Sequence, residues 1–461
     1  MKFIPFLFCV LASLPAWAIQ VDPVKGDDRY DGVQAPVRTI ARAVKLAGPG
    51  DTVHLAPATY YESVVLNGKQ GLPGKPITVE GHGAVIDGSD ALQAEEWESL
   101  GQGLYRKVKL LPRMDDAILM RWYFLWDGRV NRMGRSSKGI RVPLKKVEEL
   151  LPNEWTYVEA EDAFYVKLPA DRPLAAANIR IPVRANGVAL AGKGAHVVIR
   201  NLTATHVYND GFNVHGDQID TVYENIASIE CGDDGFSAHE TAECRIDGFV
   251  SIGNSTGLCD VGASVTHYKN VYIGGCHGHD VFFLGDAAHS LENAWVESQA
   301  TLAVTISQHV GSDPARLCRA TFKNVFVRRQ PGLKGDVKVT RNAVLEAENC
   351  TFEGLNFLAA AGADVSLTRS VLTGSPDKPQ LEIFNEATWK GVSNHYDLQG
   401  LRKGPLQVTE AGFAAYQKKP EVNESDSVWA SATEVKPGIG ADIPSFAEIQ
   451  SKAAAFQKAS D

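Results

Sequence analysis

Three aspartates in two Asp-Gly segments are the residues of this chain best suited to acid–base chemistry. Asp210 lies in an Asn-Asp-Gly segment, and Asp233 and Asp234 lie in a Gly-Asp-Asp-Gly segment further along the chain. Acid–base catalysis can pair one protonated carboxyl group with one carboxylate, and crowding of like charges raises one pKa as the acid requires. An Asp-Gly pair is also a common turn, but its recurrence near several histidines favours chemistry. We predict Asp210, Asp233 and Asp234 as catalytic residues.

Further aspartates and histidines lie close to these two segments. Because successive side chains of a strand point to opposite faces, His215 and His239 are expected to share one outer face. Aligning Gly257 with Asp234 places Asp260 on the same face. The residues predicted to bind a substrate there are His215, His239, Asp260, His279 and Asp280.

The elements that position these side chains are indicated by a repeat. Its anchor residues lie 24, 23, 22 and 23 residues apart, at Asn201, Asn225, Gly248, Asn270 and Asn293. Each unit has two or three short apolar runs and no helical period, which is typical of one coil of a parallel β-helix. Such a unit cannot bury its own core and must stack on its neighbours. We predict an all-β, right-handed parallel β-helix of about ten coils, with equivalent residues roughly 4.8 Å apart.

A short amphipathic helix is predicted at Thr39–Ala47, ahead of the main repeats. Ile40, Ala43 and Val44 share one face of this helix, and Gly48 followed by proline ends it. We expect the helix to cover the open end of the solenoid, where an unpaired coil would expose apolar surface and free backbone groups.

The repeat is interrupted between residues 104 and 180 by alternating strand patterns and a basic loop, Arg129 to Lys146. We interpret this segment as a β-rich insertion packed beside the β-helix. Its tryptophans Trp122, Trp126 and Trp155 suit either stacking on sugar rings or the core of the insertion itself. The core is the favoured interpretation.

The chain begins with the pattern of a secretory signal peptide. Lys2 precedes an apolar run from Phe3 to Leu14, and small residues follow at Ala16 and Ala18. The run is too short to span a bilayer, and no other segment is predicted to cross a membrane, so a secreted or periplasmic protein is expected. The predicted divisions are 1–18 signal peptide, 19–103 cap and first coils, 104–180 insertion, 181–375 main β-helix and 376–461 C-terminal extension or cap.

Charge and cysteine content limit the functional classes. The net charge of −9 in 461 residues argues against nucleic acid as a partner. Export permits disulfides, but the sequence does not choose among the possible pairings, and buried free cysteines are an equal alternative. The cysteines after the predicted signal peptide are Cys231, Cys244, Cys259, Cys276, Cys318 and Cys350.

The helical cap, the coil repeats and the two Asp-Gly segments together resemble the superfamily of pectate lyases and polygalacturonase-like glycoside hydrolases. These proteins are right-handed parallel β-helices. The polygalacturonase-like hydrolases carry a lone aspartate, then an aspartate pair, then a histidine. Asp210 resembles the first element, Asp233 with Asp234 the second, and the segment around His277 loosely the third. The resemblance implies a glycoside hydrolase that acts on a polysaccharide or oligosaccharide and needs no cofactor.

Two other functions stay open at this point. A polysaccharide lyase of the same superfamily uses calcium, which Asp233, Asp234 and Asp260 are suited to hold, together with an arginine or lysine base. Arg245 and Lys269 are the nearest candidates for that base in the sequence. The third possibility is a glycan-binding β-helix protein that performs no reaction.

Overall fold

The computed structural model describes residues 16–313, 315–374 and 378–460. Residues 1–15 of the predicted signal peptide lie outside the described residues. The alternating apolar pattern produces a parallel β-solenoid of about 14 turns, with 47% strand and 11% helix. The predicted fold class is confirmed, but the expected ten coils were too few, and the C-terminal extension, which was not predicted to form coils, adds strands to both long sheets.

Two sheets run along the described solenoid, and we call the one with 18 strands the long sheet and the one with 12 strands the second sheet. The 18 strands of the long sheet are Ala18–Val21, Thr52–Leu55, Thr59–Tyr60, Ile77–Asp87, Val197–Thr205, Thr221–Ile229, Glu243–Ile252, Val265–Gly274, Ala288–Ser298, Cys318–Arg329, Ala343–Glu348, Thr351–Glu353, Asp364–Thr368, Val371–Thr373, Thr388–Val392, His395–Tyr396, Glu424–Ser425 and Val428–Trp429. The 12 strands of the second sheet are Val64–Val65, Val188–Leu190, Phe212–Val214, Asp234–Ala238, Thr256–Gly262, His279–Gly285, Leu302–Ser307, Asp336–Thr340, Asn356–Ala359, Gln380–Ile383, Gly400–Lys403 and Leu406–Val408. A further pair of strands is Lys193–Ala195 with Asp217–Ile219.

The predicted column of asparagines is present on the long sheet. Asn225 Nδ2 donates to Asn201 Oδ1 over 2.8 Å, and Asn293 Nδ2 donates to Asn270 Oδ1 over 2.5 Å. These asparagines have φ between 50° and 56°, and Gly248 takes the same place in its coil with φ 78°. The left-handed conformation favours Asn and Gly over other residues, which explains the anchor residues of the repeat.

The helix at the N-terminal end covers the solenoid core as expected. It spans Ile40–Leu46, and the hydroxyl of its N-cap residue Thr39 accepts a hydrogen bond from Arg42 N. Ile40 and Ala43 are fully buried in the same core as the first coils. The helix therefore closes the apolar end of the stack.

A side domain of two antiparallel sheets is inserted between Asp87 and Val188. Its strands are Ser89–Ala91, Phe124–Trp126, Arg129–Asn131 and Ile179–Pro182 in one sheet, and Glu98–Gly101, Leu104–Val108, Glu154–Val158 and Ala163–Lys167 in the other. A helix at Asp116–Arg121 and short 3-10 helices at Ala94–Glu96, Val147–Glu149, Glu159–Glu161 and Leu174–Ala176 complete it. Trp122, Trp126 and Trp155 are at most 6% exposed and, together with Trp97, form part of the domain's own core.

The C-terminal extension contributes both coils and helices. Its helices are Glu410–Gln417 and Ala447–Ser460, with 3-10 helices at Ala432–Glu434 and Ile443–Phe446. Phe446, Ile449 and Ala453 pack against Trp295 and Phe326 on the outside of the long sheet. The helix Ala447–Ser460 and the 3-10 helix before it therefore cover apolar side chains that the outer face of the long sheet would otherwise expose to water.

The described cysteines, at positions 231, 244, 259, 276, 318 and 350, are all free and buried. None of the described helices is both long enough and apolar enough to cross a membrane.

Replacement of one anchor tests the asparagine column. Asn225→Ala removes a ladder hydrogen bond and places a Cβ-bearing residue with no polar side chain in the left-handed region. We expect the free energy of unfolding to fall by about 1–2 kcal/mol. Asn225→Gly loses the same hydrogen bond but tolerates the φ angle, so it should lie between wild type and Asn225→Ala in urea denaturation. Equal stability of all three proteins would contradict a structural role for the column.

Candidate active site

The parallel register of the second sheet brings the three aspartates together. Phe212 pairs with Phe236, so the turn before one strand lies directly beside the turn before the next. The backbone N–H of Asp234 donates to Asp210 Oδ1 over 3.0 Å. One carboxylate oxygen from each of Asp210, Asp233 and Asp234 lies within 4.8 Å of the others, and each residue is only 3% exposed. We call these three residues the Asp cluster.

The side domain supplies the cations that face the Asp cluster. Lys138 Nζ lies 2.7 Å from Asp233 Oδ1 and 2.5 Å from Asp234 Oδ1. Arg121 Nε lies 2.8 Å from Asp233 Oδ2, and the Ser137 hydroxyl donates to Asp233 Oδ1. The Asp cluster is therefore enclosed between the coil and a loop of the side domain.

The surroundings push the pKa values of the three carboxyl groups apart. Burial, followed by the charge of Asp233, raises the pKa of Asp234 to about 8. The same two causes raise the pKa of Asp210 to about 6, against the effect of Lys138. Burial also acts to raise the pKa of Asp233, but Lys138 and Arg121 outweigh it and hold that pKa below its ordinary value. A protonated carboxyl group and a carboxylate thus lie side by side, which is the pair that acid–base catalysis requires.

Asp210 is held from its own coil. Asn213 Nδ2 donates to Asp210 Oδ2 over 2.5 Å, and Asn209 Nδ2 donates to the same oxygen over 3.1 Å. Both oxygens of Asp210 therefore have donors, because its other oxygen accepts the N–H of Asp234. The residue links two consecutive coils at the site.

His215 and His239 stack on each other beside the Asp cluster, on the outer face where they were predicted to lie. Their ring centroids are 3.9 Å apart. His239 Nε2 is 2.7 Å from Ser237 Oγ, and His215 Nδ1 is 3.1 Å from Glu240 Oε2. Burial and the neighbouring His215 lower the pKa of His239 to about 4. Donor atoms of His215, His239 and Glu240 lie within 4.8 Å of one another, so these residues form a set that is able to hold a metal ion.

Asp260 does not lie on the outer face, and the register expected for it was wrong by one residue. Thr256, rather than Gly257, pairs with Asp234, and Asp260 follows Ala238 into the core. The reason is coil length, since this coil is two residues shorter than the one before it. The carboxyl group is fully buried, and it accepts hydrogen bonds from Ala238 N, Thr266 Oγ1 and Tyr268 Oη.

His279 and Asp280 lie in the following coil on opposite sides of the backbone. His279 pairs with Thr256 in the column that contains Asp234, and burial followed by Lys138 lowers its pKa to about 4. Asp280 is fully buried, and burial raises its pKa to about 7, against the effect of Ser298 inside the coil. His279 therefore adjoins the site, whereas Asp280 points into the core.

Sequence reasoning missed Lys138 and Arg121 as site residues. Lys138 belongs to the basic loop seen in the sequence, and Arg121 ends a helix of the side domain. The many arginines and lysines of this loop indicated that it would contact acidic side chains. The contact partner was not predictable because nearly a hundred residues separate Lys138 from Asp233.

Comparisons with known proteins agree with the fold. Residues 24–66 match the model of a family described as "Protein of unknown function (DUF1565)". A comparison with curated proteins found no match. A solved complex of XylC with xylose is 12% identical, with a TM-score of 0.50, and the match covers 84% of this chain and 69% of that one.

Two further solved structures are similar at lower scores. One is described as a glycoside hydrolase, with 9% identity, a TM-score of 0.43 and coverage of 94% of this chain and 100% of that one. The other is the GH136 lacto-N-biosidase from Eubacterium ramulus, with 10% identity, a TM-score of 0.34 and coverage of 90% and 67%. At such identities the likeness concerns the fold alone. The expected resemblance to the β-helix superfamily is confirmed at that level.

Removal of the ammonium group of Lys138 tests the electrostatics of the site. Lys138→Met leaves Asp233 with Arg121 as its remaining cation and removes a hydrogen-bond donor from both buried carboxyl groups, so we expect a loss of about 1–3 kcal/mol in the free energy of unfolding at neutral pH. Lys145→Met removes a more exposed ion pair with Glu154 in the same loop and should cost less than about 1 kcal/mol. Equal losses in urea denaturation of the two variants would show that Lys138 does not compensate the buried charge.

Proposed function

We propose that the protein is an exported glycoside hydrolase that acts on a polysaccharide or oligosaccharide at the Asp cluster. The observation that carries this proposal is the convergence of three buried carboxyl groups whose pKa values are pushed to opposite sides of neutrality. Glycosidic hydrolysis needs one carboxylic acid of the enzyme to protonate the leaving oxygen, and one carboxylate of the enzyme to attack the sugar or to activate water. The signal peptide predicted at residues 1–18 fits export.

The roles within the Asp cluster follow from protonation. Asp234, with a pKa raised to about 8, is the proton donor at neutral pH. Asp233 stays ionised beside Lys138 and Arg121, and acts as the carboxylate. Asp210 is the positioning residue, because it accepts the N–H of Asp234.

Access to the carboxyl groups requires movement of the side chains above them. The three aspartates are 3% exposed, whereas the side chains of Lys138 and Arg121 are 24% and 30% exposed. These two cations therefore lie between the Asp cluster and water. We propose that a sugar hydroxyl displaces the ammonium group of Lys138 from Asp234, which frees the acid while Arg121 still holds Asp233.

The calcium-dependent lyase is the alternative, and the contacts of Lys138 disfavour it. Its ammonium group sits 2.7 and 2.5 Å from Asp233 and Asp234, where a calcium ion would bind those carboxylates. Lys138 is also the cation nearest to the reaction, but the aspartates around it raise its pKa well above the ordinary value in spite of burial. A lysine kept protonated in this way is a poor base for removing a proton from a uronate.

A panel of plant and marine polysaccharides separates the candidate functions. Incubation with purified protein is followed by measurement of new reducing ends and of ultraviolet absorbance from unsaturated products. Reducing ends without absorbance support the hydrolase. Absorbance supports the lyase, and neither signal on any glycan supports a binding protein.

Replacement of the proposed acid tests the assignment directly. Asp234→Asn keeps the shape and hydrogen bonding of the turn but cannot donate the proton, so turnover on the active glycan should fall by about a hundredfold or more. Asp217→Asn, at an exposed position one coil earlier, is the control and should retain wild-type turnover. Full activity of Asp234→Asn together with a lower melting temperature would identify Asp234 as a turn former only.

Calcium addition gives a second test of the reaction class. Because the hydrolase mechanism uses only side chains, protein treated with a calcium chelator should keep its turnover, and restored calcium should not raise it. Circular dichroism before and after treatment controls for unfolding. Loss of turnover with retained folding, and recovery on addition of calcium, would replace the hydrolase by the lyase.

A further inference from the structure

A large groove lies between the side domain and the coils, separate from the Asp cluster. Its volume is 1580 Å3, and it is lined by side-domain residues 126–136 and by coil residues that include Glu230, His277 and Gln299. None of the three aspartates of the Asp cluster lines it. The loop that carries Ser137 and Lys138 to the Asp cluster also carries Arg132 and Arg135 to the groove, so one loop borders both sites. We call this the basic groove.

Three arginines line the basic groove without a carboxylate partner. Arg129, Arg132 and Arg135 form no salt bridge with any residue that the structure describes. Arg132 Nη2 donates to the carbonyl oxygens of two coil turns, over 2.7 Å to Cys231 O and 3.2 Å to Gly253 O. Burial and the nearby guanidinium of Arg141 lower the pKa of Arg135. Arg132 is buried and its charge faces Glu230 and Asp233. Arg129 is exposed, and Arg135 is half-buried and donates to the carbonyl oxygen of Val142 over 2.6 Å, so Arg129 and Arg135 are the two whose charge is available to a ligand in the groove.

The two carboxylates that line the same groove each face a cation, and His206 is shared between Glu230 and Asp87. Asp127 is bonded by Arg172 over 2.8 and 3.1 Å. Glu230 lies 3.5 Å from His206, whose pKa is raised to about 9 by hydrogen bonds to Asp87 and Glu230 in spite of burial. The groove thus has a net positive lining on a protein whose total charge is −9, and a cleft with one sign of charge concentrates ligands of the opposite sign.

We propose that the basic groove binds an anionic saccharide, with Arg129 and Arg135 as the residues that contact its carboxylate or sulfate groups. Guanidinium groups present paired donors that match the planar carboxylate and the sulfate oxygens, and such bonds are stronger than neutral ones. The groove is long enough to be bordered by eleven consecutive side-domain residues, 126–136. The inference rests on the proposed function only in taking the ligand to be a glycan.

Binding, measured without turnover, tests the proposal. Isothermal titration calorimetry on Asp234→Asn protein compares three probes, namely oligogalacturonate, sulfated dextran and unmodified dextran, at low and high NaCl. We expect an anionic probe to bind, unmodified dextran not to bind, and affinity to fall with salt. Binding of only one anionic probe identifies the charged group as uronate or sulfate. Tight binding of unmodified dextran, or binding of none of the three probes, would overturn the proposal.

Charge-matched variants separate the groove from general electrostatics. Arg129→Gln with Arg135→Gln should weaken binding of the anionic probe by about tenfold or more and reduce its dependence on salt. Arg319→Gln with Lys323→Gln removes two exposed cations from the strand Cys318–Arg329 of the long sheet, outside the groove, and should leave affinity unchanged. Equal loss in both double variants would overturn the proposal, and circular dichroism confirms folding of each.

The two proposals fail in different ways. Binding of an anionic probe in the groove with no cleavage of any glycan would refute the hydrolase and leave the groove assignment standing. Cleavage of neutral glycans only, without binding of either anionic probe, would refute the groove assignment and leave the hydrolase standing.

Discussion

The ammonium group of Lys138 is the contact on which the arrangement of the site depends. Two carboxyl groups buried within 4.8 Å of each other cannot both ionise without a compensating cation, and Lys138 reaches one oxygen of each member of the pair. Arg121 then adds a second cation to Asp233 alone. This asymmetry, rather than burial, decides which aspartate keeps its charge. The same ion pairs hold the side domain against the coil, so the packing of the two units and the protonation of the Asp cluster depend on each other.

The coils fix the positions of the three aspartates, and the side domain supplies the cations that pair with Asp233 and Asp234. Parallel stacking places Asp210 beside Asp234 without any long connection, because equivalent turns of consecutive coils are neighbours. It also places His215 on His239 and Asn201 on Asn225. Since the side-chain period of a strand is two, a shift of one residue sends a carboxyl group to the other side of the sheet. Asp260 lies in the core for that reason.

Features that depend on local pattern were predictable from the sequence. The left-handed anchor of the repeat selects asparagine or glycine, so the column through Asn225 was readable from spacing alone, and the helix at Ile40–Leu46 carried its own cap and apolar face. Contacts between distant segments were not predictable. Lys138 reaches Asp233 across 95 positions of the chain, and no periodicity fixes how the side domain lies on the coil. Asp260 was misplaced because paired residues of the second sheet are 24 positions apart from Phe212 to Phe236 but only 22 apart from Asp234 to Thr256. The anchor spacings show that coil length varies, but they do not show which coil of the second sheet is the short one.

Titration of the buried carboxyl groups tests the central claim most directly. Infrared difference spectra of wild type and Asp234→Asn across pH separate the protonated form of this one residue from the rest. The account predicts a protonated carboxyl signal that persists at neutral pH, disappears with a midpoint near the value of about 8 for Asp234, and is missing from the variant. Complete ionisation of every carboxyl group of the Asp cluster below pH 5, with identical spectra of the two proteins, would contradict it.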